Sequence, residues 1–149
     1  MLLTLGEFTG AVERLLNGWL PARTIVEVAL AGRHAVHASG KVLRLPQFCP
    51  WKGHLFDLEK EGELCAKGDV VYVLYEDGGG KWRIQAVPEA PDSFTSRRAL
   101  PEKLCGLRDD ALSAAAGIEG CIFIHNAGFI GGNATYDGAL AMAALALKD

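Results

Sequence analysis

The residues best suited to chemistry lie in the run Cys121-Ile-Phe-Ile-His-Asn-Ala-Gly-Phe-Ile-Gly-Gly-Asn133. His125 can accept, donate or move a proton near neutral pH. Gly128, Gly131 and Gly132 remove side chains where a backbone can turn sharply. Ile122, Phe123 and Ile124 read as a short strand covered on both faces. Asn133 and Thr135 are candidate N-caps for the alanine-rich helix behind the glycines. The expected arrangement is therefore strand, Gly-Gly turn, helix. Such a turn points free N–H groups outward with a helix dipole behind them, which suits a phosphate or carboxylate. Gly128, Gly131, Gly132 and Asn133 are the first candidates for ligand contact, with His125 beside them. A hydrogen-bonded core histidine is the competing role for His125.

Cations and aromatics elsewhere could serve the same ligand. Arg83 and Gln85 share one face of a predicted strand and can reach a backbone phosphate or a base edge. Arg97, Arg98 and Arg108 can make fork-like phosphate contacts, with structural ion pairs as the alternative. Trp51 and Lys52, in Cys49-Pro-Trp-Lys52, can stack a base and hold a phosphate. A packing tryptophan at a helix start is the alternative for Trp51. Nucleophilic catalysis finds no pattern: there is no Gly-x-Ser-x-Gly and no cysteine in an activating context. The Gly80-Lys81-Trp82 step lacks the Ser/Thr of a phosphate-binding P-loop and joins two strands. Cys49, Cys65, Cys105 and Cys121 form no C-x-x-C pair, so reduced thiols are expected, with Cys121 a small core residue.

These groups must be positioned by a chain of 149 residues, half of them hydrophobic. That suits one domain, residues 1–149, with a real core. No apolar run spans a bilayer without interruption, and no signal peptide is visible, so an intracellular protein without a membrane partner is expected. The net charge of −3 argues against a wholly basic nucleic-acid surface. Its distribution is uneven. Asp57 to Asp77 holds seven acids against two lysines, and Gly78 to Arg108 holds six bases against three acids. The basic block can face phosphates; solvated faces are the plain alternative.

Phe8, Val12, Leu15, Leu16 and Trp19 predict a first amphipathic helix. A second starts at Pro21 and runs through about Leu30 to Gly32. Ala35-Val36 and Val42-Leu43 around Ser39-Gly40 predict a hairpin. A short helix follows from about Lys52 to Lys60. Val70–Tyr75 and Trp82–Val87 predict a second hairpin through Asp77-Gly-Gly-Gly80. After a polar loop from Pro88 to Pro101 come a helix over Leu107–Ala116, the buried strand and a final helix to Leu147. The order is α-α-β-β-α-β-β-α-β-α, which implies a mixed α/β or α+β fold, a mixed β-sheet with flanking helices.

Many segments together resemble one family. Gly128-Phe-Ile-Gly-Gly132, with His125 before it and Asp137-Gly-Ala-Leu-Ala-Met-Ala143 after it, is similar to the C-terminal signature of the melanocyte proliferating gene (Myg) family of DHH-superfamily proteins. The likeness continues through Trp19-Leu-Pro-Ala-Arg23, Cys49-Pro-Trp-Lys52 with His54, and Trp82-Arg-Ile-Gln-Ala-Val-Pro88. Pro91-Asp-Ser-Phe94, Ser96-Arg97, Leu100-Pro101, Gly106-Leu-Arg-Asp109, Gly117-Ile118 and Gly120-Cys121 complete it. The resemblance implies a metal-dependent hydrolase, a 3′–5′ RNA exonuclease, whose catalytic half carries the Asp/His motifs for divalent Mn or Mg. No Asp-His-His occurs here. The chain therefore resembles the C-terminal, substrate-binding half of such a phosphoesterase, with no metal site of its own and no expected activity alone. Its implied partners are single-stranded RNA or a nucleotide and the catalytic half, with a homo-oligomer as a further possibility. The implied compartment is the nucleus or mitochondrion. Family members often have histidine where this chain has Asn133, which cannot carry charge or move a proton. The alternative function is a stand-alone nucleotide- or RNA-binding or assembly module without enzymatic activity.

Overall fold

The computed structural model describes residues 21–46, 48–77, 79–90 and 92–148. The predicted helix over Phe8–Trp19 lies outside the described residues. Helix α1 spans Ala22–Ala31, flanked by Pro21 and Gly32 as the sequence predicts. The first departure follows at once. Arg33–Val36 is a short helix, α2, where Ala35-Val36 were expected to open a hairpin. Val42–Arg44 does form strand β1, but its partner is the distant Tyr72–Glu76 strand, β2, in parallel register. A parallel pair needs a crossover rather than a tight turn. Helix α3, Lys52–Glu61, supplies it, ending on left-handed Gly62.

Strand β3, Trp82–Ala86, pairs antiparallel with β2 as predicted. Helix α4, Asp109–Ala116, leads into β4, Cys121–Ile124, and helix α5, Tyr136–Lys148, closes the chain. Between them lies the second departure, a further strand, β5, over Ile130–Asn133. The sheet has five strands in the order β1-β2-β3-β5-β4, so it is mixed and flanked by helices. β4 takes the sheet edge, and Ile122 and Phe123 are partly exposed, against the expectation of a strand covered on both faces.

Alternation along the strands sends side chains to two opposite layers. Leu43, Val73, Tyr75 and Val87 face one core with α1 and α3, through Ile25, Leu30, Leu55 and Phe56. Val42, Tyr72, Leu74, Ile84 and Ile124 face a second core with α4 and α5, through Leu112, Ala139, Met142 and Ala143. Two ion pairs join the acidic and basic blocks of the sequence. Arg97 pairs with Glu59, and Arg83 pairs with Asp77. Among the described residues no helix is long and apolar enough to cross a membrane.

Candidate functional site

The glycine element does not build the expected cradle. Gly131 and Gly132 are buried inside β5, opposite Ile84 and Arg83 on one side and Ile124 and Phe123 on the other. Strand pairing on both sides occupies the amides that an outward-facing turn would present to an anion. The actual turn lies earlier, between β4 and β5, where Gly128 has φ +73° and donates its N–H to His125 O at 2.8 Å. A Cβ at Gly128 would sit 3.1 Å from Cys105 Sγ and 3.2 Å from Leu100 O, so tight packing as well as φ requires glycine there.

Asn133 is wholly buried. Its Nδ2 donates to Glu119 O at 3.0 Å, and its Oδ1 accepts from Thr135 N at 3.0 Å. Thr135 Oγ1 in turn accepts from Gly138 N at 3.0 Å, which makes Thr135 the N-cap of α5. Asn133 therefore holds the strand-to-helix corner together from inside.

Two arginines expected to meet phosphate are committed elsewhere. Arg97 Nη1 and Nη2 donate to Glu59 Oε2 and Oε1 at 2.7 and 2.6 Å, and Nη1 also donates to Val70 O at 2.9 Å. The pair is almost fully buried, with side chains 9% and 2% exposed. Arg98 Nε donates to Ala146 O at 3.0 Å, which satisfies a free carbonyl at the C-terminal end of α5. Trp51 is buried in the first core, so packing is its role.

The structure does bring other predicted residues together. Arg83, Gln85, Ile130, Gly132 and Phe123 share the sheet face of the first core but lie beyond the strands that α1 and α3 cover. Every one of them except Gly132 is partly exposed. Arg83 sits over the Phe123 ring, with Cζ 5.0 Å from the ring centroid, and Nη2 is 3.3 Å from Asp77 Oδ2. Gly132 leaves the room for this, because a Cβ there would approach Arg83 Nη1 to 2.8 Å. Asp77 Oδ1 accepts from Gly79 N and Lys81 N at 2.8 and 3.1 Å. The Gly79 amide, helped by Lys81 and the Arg83 charge, lowers the Asp77 pKa below the usual carboxylate range. Arg83 is thus held by Asp77 on one side and Phe123 on another, with its side chain 29% exposed.

Next to it is a hollow of ≈430 Å3. Lys52 lines it from the start of α3, Gln85 from β3, Phe129 from the β4–β5 turn, and Asp92, Ser93 and Phe94 from the polar loop. Phe94 is fully exposed at 103% and Phe129 is 39% exposed. His125 packs against Phe129 with centroids 4.6 Å apart and the rings tilted by 57°, and its Nδ1 accepts from Ala127 N at 3.0 Å, which puts the ring proton on Nε2. His125 is exposed, so it is not a core histidine. Arg108 is exposed too, and its backbone bridges to Phe123 beside β4. Sequence reasoning missed Phe94, Phe129, Phe123 and Asp77. The available signal was Phe94 itself, a large apolar residue in a polar loop.

All four thiols are free, and burial raises the pKa of each above the usual thiol range. Among the described residues no three of His, Cys, Asp and Glu converge to hold a metal ion.

A sequence model of the MYG1 exonuclease family, described as an uncharacterised protein family (UPF0160), matches residues 1–147. The chain belongs to this family. It is 49% identical over 138 residues to the MYG1 exonuclease of Homo sapiens, covering 92% of this chain and 36% of that protein. It is 53% identical over 127 residues to the MYG1 protein of Dictyostelium discoideum, covering 85% and 38%. The MYG1 protein of Saccharomyces cerevisiae is 45% identical over 142 residues, covering 95% and 41%. The chain thus spans roughly two fifths of the relatives it matches. No solved structure matches it.

Proposed function

We propose that this chain is the substrate-binding part of a MYG1-type exonuclease, holding the phosphates of single-stranded RNA for hydrolysis by a metal-binding part not contained in its 149 residues. The observation that carries this reading is Arg83. It is a guanidinium held over the Phe123 ring, steered by Asp77 and set on a half-open sheet face above a strand glycine. A guanidinium held on a rigid strand loses little freedom on meeting phosphate, and its planar fork matches phosphate oxygens. Gln85, two residues along the same face, can read a base edge. Lys52 shares a hollow with Gln85, and His125 and Arg108 are exposed cation or donor candidates beside β4. The family membership supplies the reaction class, and the arrangement supplies positioning rather than bond breaking.

The test is a titration with short single-stranded RNA at low and at physiological salt, comparing the parent chain with Arg83→Ala and Arg97→Met. Salt-sensitive binding that Arg83→Ala weakens, with a salt slope reduced by about one, is the expected result. Binding unaffected by Arg83→Ala overturns the assignment, as does robust metal-dependent hydrolysis by the 149-residue chain itself.

A further inference from the structure

We infer that the hollow beside Gln85 and a neighbouring one form a two-base subsite for single-stranded nucleic acid, centred on Lys52. The inference rests on reading this chain as a substrate-binding unit and locates the bases on it. The second hollow, ≈290 Å3, is lined by Phe48, Cys49 and Tyr75, and it shares Lys52 and Gln85 with the ≈430 Å3 hollow. Each hollow carries a phenylalanine presented to solvent. Phe48 is 60% exposed and rests on Tyr75 with centroids 5.0 Å apart; Phe94 is 103% exposed, with Phe129 in the same hollow. Isolated exposed apolar residues need no explanation. Here three phenylalanines from three separate loops border two connected hollows that share one cation.

That pattern fits two successive unpaired bases with a phosphate between them. Flat aromatic surfaces accept any base by its π-face, and a groove cation tracks the backbone. Lys52 is exposed at the shared wall, so its Nζ is the partner for the intervening phosphate. Asp92 lines the larger hollow from the polar loop and Lys52 from the start of α3, which leaves the Lys52 wall as the phosphate side. Gln85 Oε1 already accepts from Tyr75 Oη at 3.1 Å. Its amide nitrogen is left to donate to a base carbonyl or ring nitrogen. A protein partner would also cover phenylalanines, but it would have no need of a lysine and an amide donor shared between two ring-lined hollows.

The experiment compares binding of a short single-stranded RNA, the same strand with abasic positions, and a mononucleotide. The proteins are the full chain, Phe94→Ala, Phe48→Ala, Lys52→Ala and Arg83→Ala, with Phe94→Trp as a rescue. Phe94→Ala and Phe48→Ala should each weaken the intact strand by about 5- to 150-fold and leave the abasic strand unchanged. Phe94→Trp should restore binding. Lys52→Ala should lower the salt slope by about one for the strands but not for the mononucleotide. Equal affinity for intact and abasic strands overturns the subsite. So does loss on Arg83→Ala with none on the phenylalanine changes, an outcome that leaves the substrate-binding reading standing. Absence of any RNA binding by a folded chain overturns both. Because Phe94 is fully exposed, its replacement leaves the fold intact, and a phenotype there cannot come from unfolding.

Discussion

Arg97→Ala tests the strongest electrostatic feature of the fold. Arg97 and Glu59 are joined by two hydrogen bonds of 2.6 and 2.7 Å, with side chains only 9% and 2% exposed. Truncating Arg97 leaves the Glu59 carboxylate buried with a single weaker donor, Gly68 N at 3.3 Å, and orphans the Val70 carbonyl. Breaking a buried pair in this way costs about 3–5 kcal/mol. The change also removes the guanidinium 5.1 Å from the Phe56 ring, which adds to the loss. For a chain of this size, a loss of that order lowers Tm by about 6–20 °C. The control is the double variant Glu59→Leu/Arg97→Met, which removes both charges and keeps apolar volume. It should remain within about 2 kcal/mol of the parent, because only the hydrogen bonds from Gly68 and to Val70 are lost. Urea unfolding of the parent, Arg97→Met, Glu59→Leu and the Glu59→Leu/Arg97→Met double variant gives the coupling energy directly. A cost under about 1 kcal/mol for Arg97→Ala, or a double variant as unstable as the summed singles, would refute the reasoning. Where the variant is folded, its RNA affinity should match the parent, because the Arg97 donors face inward.

The two strand glycines should separate stability from binding. A Cβ at Gly131 would meet Phe123 O at 3.1 Å and the Ile124 and Ile84 side chains at 3.2 and 3.3 Å, so Gly131→Ala should cost about 1–3 kcal/mol in chemical denaturation. At Gly132 the nearest atom is the far end of the Arg83 side chain, so Gly132→Ala should displace the guanidinium from Phe123 and weaken RNA binding, with a smaller stability loss. Burial raises the pKa of the Cys49, Cys65, Cys105 and Cys121 thiols, so alkylation should be slow in the folded chain at mildly alkaline pH and fast in denaturant. A raised folded pKa contributes stability that is fully present below the unfolded thiol value of about 8.5 and is lost as pH climbs above it. Unfolding free energy measured from neutral pH into that range should therefore fall, and a flat profile would contradict the burial of these thiols.

Local signals in the sequence were enough to place most helices and the central hairpin. Pro21 and Gly32 bracket α1, Gly62 stops α3, and the β-branched and aromatic run before Asp77 forms the strand that pairs with Trp82–Ala86. Family membership was also legible, because motifs spread along the whole chain carry it. What failed were assignments that depended on partners far away in sequence. Gly131, Gly132 and Asn133 have low strand propensity, and the segment is a strand because β3 and β4 supply hydrogen bonds on both sides. Ala35-Val36 form no hairpin with β1 because they lie in helix α2, and β1 takes the sheet edge beside β2 instead. The arginines are alike in sequence, yet burial beside Glu59 commits Arg97, the end of α5 commits Arg98, and an open sheet face leaves Arg83 available. The sequence by itself determined the residue types, the local helices and hairpin, and the family. Which cations and rings meet solvent was decided only by the tertiary structure, because burial and pairing are properties of contacts between segments distant along the chain.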